Sequence, residues 1–197
     1  CERSSGGRAN GDEIRLNSLC DVQDGARDRS GVHDPHVDER VLNRAYVFSM
    51  KAHGGQTRKS GDPYFVHPLG VAAILTDLKA DPATVATALL HDVVEDTDVT
   101  VDDIAKRFGG EIVNADAYQI YRGLDILTAK PAPSSLAQVP HHLYSVLDPV
   151  EVLDAARYAA LARPVLEEIG ARGRVAVVTG GSGLYLKSLT HGLSGNL

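Results

Sequence analysis

Apolar and polar positions divide the chain into an arm and two differently patterned stretches. Residues 1–36 are rich in Gly, Ser, Asp, Asn and Arg and carry little periodicity, so residues 1–37 read as a disordered or weakly ordered arm. Residues 83–97 form an apolar helical run in which Leu89, Leu90, Val93 and Val94 supply the cover. Upstream, Gly61, Pro63 and Pro68 mark a loop that delivers His67 at a helix start. Further on, strands and helices alternate. Residues 111–115 read as a short strand entering a polar loop at Asp116, and residues 149–170 as an Ala- and Leu-rich amphipathic helix ending at a glycine. Residues 174–179 are a β-branched strand running into Gly180, Gly181, Ser182 and Gly183, followed by a helix over 184–190. No internal repeat is evident.

One group of charges interrupts this apolar pattern. His91, Asp92, Glu95 and Asp96 fall inside the helical run, and residues four apart share a helix face, so His91 lies beside Glu95 and Asp92 beside Asp96. Three carboxylates and an imidazole this close repel and desolvate one another unless neutralised, and a divalent cation neutralises them directly. A helix end with solvated acidic residues is the other reading, and the residues alone divide the two evenly.

His67 offers a further ligand. Taken with His91, Asp92, Glu95 and Asp96, it resembles the HD-type metal phosphohydrolases. The likeness is closest to the hydrolase domain of the RelA/SpoT family, which removes pyrophosphate from guanosine tetra- or pentaphosphate. It runs from about residue 38 to about residue 109, with residues 42–68 following the family pattern almost without a break. The resemblance implies that His67, His91 and Asp92 are manganese (Mn2+) ligands and that Arg58 is a basic residue near the nucleotide. Glu95 and Asp96 become the pair that handles the attacking water. A hard divalent ion favours mixed imidazole and carboxylate ligation and lowers the pKa of its bound water. His53, by contrast, reads as a packing or capping histidine. The family also uses a fourth ligand, an aspartate in a segment of the type Leu-Ala-Asp-Arg-Leu-His-Asn, which this sequence lacks; water would complete the shell of an ion held by three groups.

From about residue 109 the text changes. Residues 111–131, then Val139 to Leu143, then residues 173–189 resemble tRNA dimethylallyltransferase, which transfers a dimethylallyl group from its diphosphate to N6 of an adenosine beside the anticodon. The resemblance implies that Asp116 is the general base and that Ser182 is a hydroxyl near the diphosphate. It also makes Asp116, Ala117, Tyr118 and Gln119 a tRNA-contacting stretch, with Ala117 in place of the usual serine. Lys130 falls in a substrate-proximal block and equally suits a solvated loop. This reading admits magnesium (Mg2+) as its ion. A strand, a glycine turn and a helix N-terminus suit an anion, as they suit an ordinary βα connection. His141 and His142 have no third ligand at a recognisable spacing and are not read as a metal pair. The family's Gly-x-x-x-x-Gly-Lys-Ser/Thr phosphate loop has no counterpart, because Leu186 stands where glycine must precede Lys187.

Composition adds bounds. A chain of 197 residues, 43% of them hydrophobic, holds one medium or two small domains. Its net charge of −6 argues against a dedicated nucleic-acid surface, and the arginines of residues 157–174 read as a solvated helix face. Cys1 and Cys20 have neither zinc spacing nor a disulfide-rich context, which makes a reducing cytoplasm the default. No apolar stretch approaches membrane-spanning length and no secretory signal is visible, so a soluble, cytoplasmic protein without a membrane partner is expected. The opening cysteine suggests a fragment or a conceptual translation.

The fold expected is therefore an α-helical HD-like unit over residues 38–109 followed by a partial α/β, P-loop-transferase-like unit over 110–197, mixed but mostly helical. The second unit is expected to hold at most a two-stranded remnant capped by helices, whose missing packing partners favour self-association. Three functions follow: an incomplete phosphohydrolase acting on guanosine tetra/pentaphosphate or a related nucleotide; a transferase acting on tRNA and dimethylallyl diphosphate; or a catalytically silent hybrid with residual metal binding.

Overall fold

The computed structural model describes residues 39–190, so the expected arm lies outside the described residues. The chain divides into two units between Val99 and Thr100.

The first unit is helical, built from α1 (Glu39–Ala52), α2 (Val66–Asp77) and α3 (Pro82–Asp96). Helix α3 starts where local chemistry requires. The Asp81 carboxylate accepts from the Thr84 amide at 3.0 Å, and Pro82 takes the first turn, where a missing N–H costs nothing. Its buried stripe is Val85, Ala86, Ala88, Leu89, Asp92 and Val93, against which α1 and α2 both pack. Tyr46 of α1 meets Phe65 edge to face at 5.0 Å, which closes the core beside the start of α2. The cover expected from four apolar residues is corrected here. Leu89 and Val93 are buried, but Val94 is 37% exposed, because the helical stripe brings Asp92 inward in its place.

The second unit is a parallel sheet with helices on both faces. Helix α4 (Val101–Phe108) opens on a reciprocal capping box between Thr100 and Asp103 and closes at Gly109, whose left-handed φ of 64° ends the helix. Strand β1 (Gly110–Asn114) follows at once. Then come α5 (Pro133–Leu136), β2 (His141–His142), α6 (Ala155–Ala171), β3 (Val175–Thr179) and α7 (Gly183–Thr190). Among the described residues the strand order is β2-β1-β3, with Ile112 opposite both His141 and Val177. Two expectations change. The sheet has three strands, since the His141–His142 pair adds itself to β1, and α6 begins at Ala155 because the Asp154 carboxylate caps it, accepting from the Arg157 amide at 2.7 Å.

Strand β1 is buried throughout, and its alternating side chains serve two cores. Val113 joins Tyr158, Ala162 and Ile169 of α6 and Tyr185 of α7; the Tyr158 and Tyr185 rings stack at 4.4 Å. Ile112 joins Ala105 of α4 and Val139 on the other face. Helix α4 thus belongs by packing to the sheet, although the sequence likeness before Gly109 is to the first stretch.

Candidate functional site

In the first unit the loop after α1 and the end of α3 converge. His67 is the second residue of α2, while His91 and Asp92 stand one turn before α3 ends. Asp92 lies between the two imidazoles: His91 Nε2 is 2.8 Å from its Oδ1, and His67 Nε2 is 3.6 Å from its Oδ2. The His91 Nδ1 lies 2.7 Å from the Ala88 carbonyl, which only accepts, so Nδ1 donates there and Nε2 faces Asp92. One ligand atom from each of the three residues lies within 4.8 Å of the others. Two imidazoles and a carboxylate are the kind of mixed donor set that a divalent transition ion takes.

Glu95 and Asp96 are exposed on the turn that follows, and Arg58 is exposed in the loop ahead of His67. The periodicity did not single out Tyr64. Its hydroxyl donates to Asp96 Oδ2 at 2.5 Å and reaches Asp92 Oδ2 at 3.4 Å, so it connects the buried Asp92 carboxylate to the exposed one. The hydrogen bond to Asp96, with burial and the two negative charges adding to it, pushes the Tyr64 hydroxyl up to about 12, which keeps it a donor. Its place three residues ahead of His67 was the only signal for it. His53 packs behind, buried, stacked on the Tyr64 ring at 4.9 Å and 2.8 Å from Gln56 Oε1 through Nδ1.

In the second unit Asp116 leaves β1 and turns the chain. Its Oδ1 accepts from the amides of Tyr118 at 2.8 Å and Gln119 at 3.1 Å. Gly180, at φ 150°, lies against this point: a Cβ there would stand 2.3 Å from the Ala115 carbonyl carbon and 2.4 Å from the Asp116 nitrogen, so no side chain fits. Ser182, half-buried ahead of α7, donates its amide to the Ala115 carbonyl at 3.3 Å. Asp116 and Gln119 line a cavity of about 320 Å³ together with Asp102, His141 and Tyr144. Tyr144 is pushed up to about 12, first by burial and then by the charges of Asp102 and Asp116.

The other expected positions differ in character. Tyr118 is 68% exposed, and Ala117 packs against the α6 core. Lys130 contacts Tyr121 O at 2.5 Å, Asp125 Oδ1 at 2.7 Å and Ser145 Oγ at 2.7 Å. Those three acceptors use all three ammonium donors, so the lysine holds its loop together. His142 donates to Glu111 at 2.6 Å. Burial acts to raise Glu111, but the hydrogen bonds and charges of His142 and Arg172 outweigh it and hold the carboxyl below its usual range.

Comparison with known proteins divides the chain in the same way. The HD domain family matches residues 45–115, and the IPP transferase family matches residues 119–196. The tRNA dimethylallyltransferase of Anaeromyxobacter dehalogenans is 56% identical over 90 residues, covering 46% of this chain and 30% of that protein. The protein named GTP pyrophosphokinase rsh of Brucella ovis is 59% identical over 80 residues, covering 41% of this chain and 11% of that protein. A solved tRNA isopentenylpyrophosphate transferase from Bacillus halodurans aligns with a TM-score of 0.46 at 40% identity, over 48% of this chain and 31% of that one. The chain thus spans under a third of the length of each of these relatives. It is a hybrid, in which a stretch similar to HD domains is followed by a stretch similar to tRNA dimethylallyltransferases.

Proposed function

We propose that the first unit is a metal-dependent phosphohydrolase segment whose ion, manganese, is held by His67, His91 and Asp92 and whose ligand is a guanosine tetra- or pentaphosphate-type nucleotide. The observation that carries this reading is the convergence of those three side chains from α2 and α3. The identity with the Brucella protein supports the nucleotide class. A bound divalent ion supplies Lewis acidity and lowers the pKa of its water. The chain's own groups supply the rest: Glu95 and Asp96 accept the proton at the exposed side, Tyr64 holds Asp96 in place, and Arg58 meets phosphate.

The test is calorimetric titration of manganese into the wild-type chain and into His91→Ala, paired with an alarmone hydrolysis assay. Heat in the wild type that disappears in the variant is expected; two identical flat traces would sink the metal site.

A second reading follows from the identity with the Anaeromyxobacter enzyme and from the close approach of Gly180 to Asp116. In it Asp116 accepts the adenine amine proton, Ser182 meets dimethylallyl diphosphate with magnesium, and the stretch from Asp116 to Gln119 meets tRNA. We rank it below metal binding, because among the described residues no lysine or arginine lines the cavity beside Asp116 to receive a diphosphate. A dimethylallyl transfer assay on an anticodon stem-loop is expected to show no turnover by this chain alone.

A further inference from the structure

Asp96, the last residue of α3, is exposed, yet both its side chain and its main chain are held. Its carboxylate accepts from the Tyr64 hydroxyl at 2.5 Å. Its carbonyl is one of the final four of the helix, which have no partner inside it, and the Gln56 side-chain amide donates to that oxygen at 2.7 Å from 40 positions away. The two gripping residues are themselves joined, because the Tyr64 amide donates to the Gln56 carbonyl at 2.9 Å.

His53 fixes which way the Gln56 amide points. The Asp96 carbonyl only accepts, so Gln56 presents Nε2 to it, which leaves Oε1 toward His53 Nδ1, 2.8 Å away. A flipped amide would set oxygen against oxygen at Asp96. His53 is 2% exposed and stacks on the Tyr64 ring with 23° between the planes, so one buried ring backs both arms of the grip. Each hydrogen bond at an exposed residue adds little to stability, because water offers the same partners. What the arrangement fixes is place, and a group that takes part in chemistry must be held within about 0.5 Å of its productive position.

We infer that Gln56 and His53 are positioning residues for Asp96: they set the main chain at the end of α3, while Tyr64 sets the carboxylate. This rests on the reading above, in which Asp96 accepts the proton of the attacking water. Among the described residues neither Gln56 nor His53 hydrogen-bonds to His67, His91 or Asp92, so the pair acts on the rate and not on the affinity for the ion.

The test measures manganese affinity, and KM and kcat for guanosine tetraphosphate hydrolysis at saturating manganese, on the full chain. Gln56→Met keeps the length and removes both side-chain hydrogen bonds. It is expected to lower kcat by about ten- to a hundredfold while KM and manganese affinity stay within about twofold of the wild type. His53→Asn, whose amide nitrogen replaces the Nδ1 donor, is expected to retain more of the rate than His53→Ala, and this pair decides the matter should Gln56→Met fail to fold. In the metal-free chain the Gln56 side-chain amide protons should exchange slowly in the wild type and fast in His53→Ala. An unchanged kcat in Gln56→Met overturns the inference and leaves the metal-dependent reading standing. So does a fall in manganese affinity as large as the fall in kcat, equal rates in the two His53 variants, or fast amide exchange in the wild type. A wild type without hydrolysis defeats the reading itself, and this inference with it.

Discussion

The Tyr64 hydroxyl donates to Asp96 Oδ2 at 2.5 Å, tying the loop ahead of α2 to the last residue of α3. The same hydroxyl is 3.4 Å from Asp92 Oδ2, so one phenol contacts both the buried Asp92 carboxylate and the exposed carboxylate of Asp96. Such outer partners set how well a ligand is aimed.

Removing that hydroxyl should therefore weaken the site more than the fold. Tyr64→Phe is expected to lower manganese affinity by about tenfold. The cost to stability should stay within about 1.5 kcal/mol, the net worth of an ordinary hydrogen bond. Calorimetric titration and urea melts measure the two quantities separately. A variant with unchanged affinity would show that Asp92 is aimed by the helix alone.

Glu111 should give the second unit an acid-sensitive contribution. Its folded carboxyl is held below its usual value of 4.5 by His142 and Arg172 against the opposing effect of burial, so folding favours the ionised form. The contribution is complete above the unfolded value and is lost as pH falls through the lower folded one. Urea melts of the wild type between about pH 7 and pH 3 should show declining stability at the acid end. Glu111→Gln should be less stable at neutral pH by about 1–3 kcal/mol and should lose that part of the decline. Parallel curves for the two proteins would remove Glu111 from the account.

In α3 the buried stripe sets which substitutions matter. Leu89, 1% exposed, should cost about 2–5 kcal/mol on substitution by alanine, through lost transfer energy and a residual cavity. Val94, 37% exposed, should cost no more than about 0.5 kcal/mol on the same change. Comparable losses in a urea titration of Leu89→Ala and Val94→Ala would place the buried face elsewhere on the helix.

Much of the first unit's site was legible in the linear pattern. The spacing of His91, Asp92, Glu95 and Asp96 placed the charges on neighbouring helical faces, and the glycine and prolines around His67 placed that residue at a helix start. Periodicity put Val94 in the apolar cover with Leu89, Leu90 and Val93, whereas the packing of α1 and α2 against α3 turns Asp92 inward and leaves Val94 exposed. Tyr64 was not legible, since a loop tyrosine carries no period and its partners lie 28 and 32 positions away.

In the second unit the sequence by itself determined the strands around Val113 and Val177, the glycine turn and the acid at Asp116, all of which follow from local propensity. Only the tertiary structure decided that His141 and His142 form a third strand, that Gly180 touches the backbone at Asp116, and that Asp102 meets His141. The physical reason is range. Capping, turn chemistry and periodicity act within a few residues, whereas these contacts arise when α4 and the strands bury their apolar faces together, and that burial depends on area and carries no record in the order of residues.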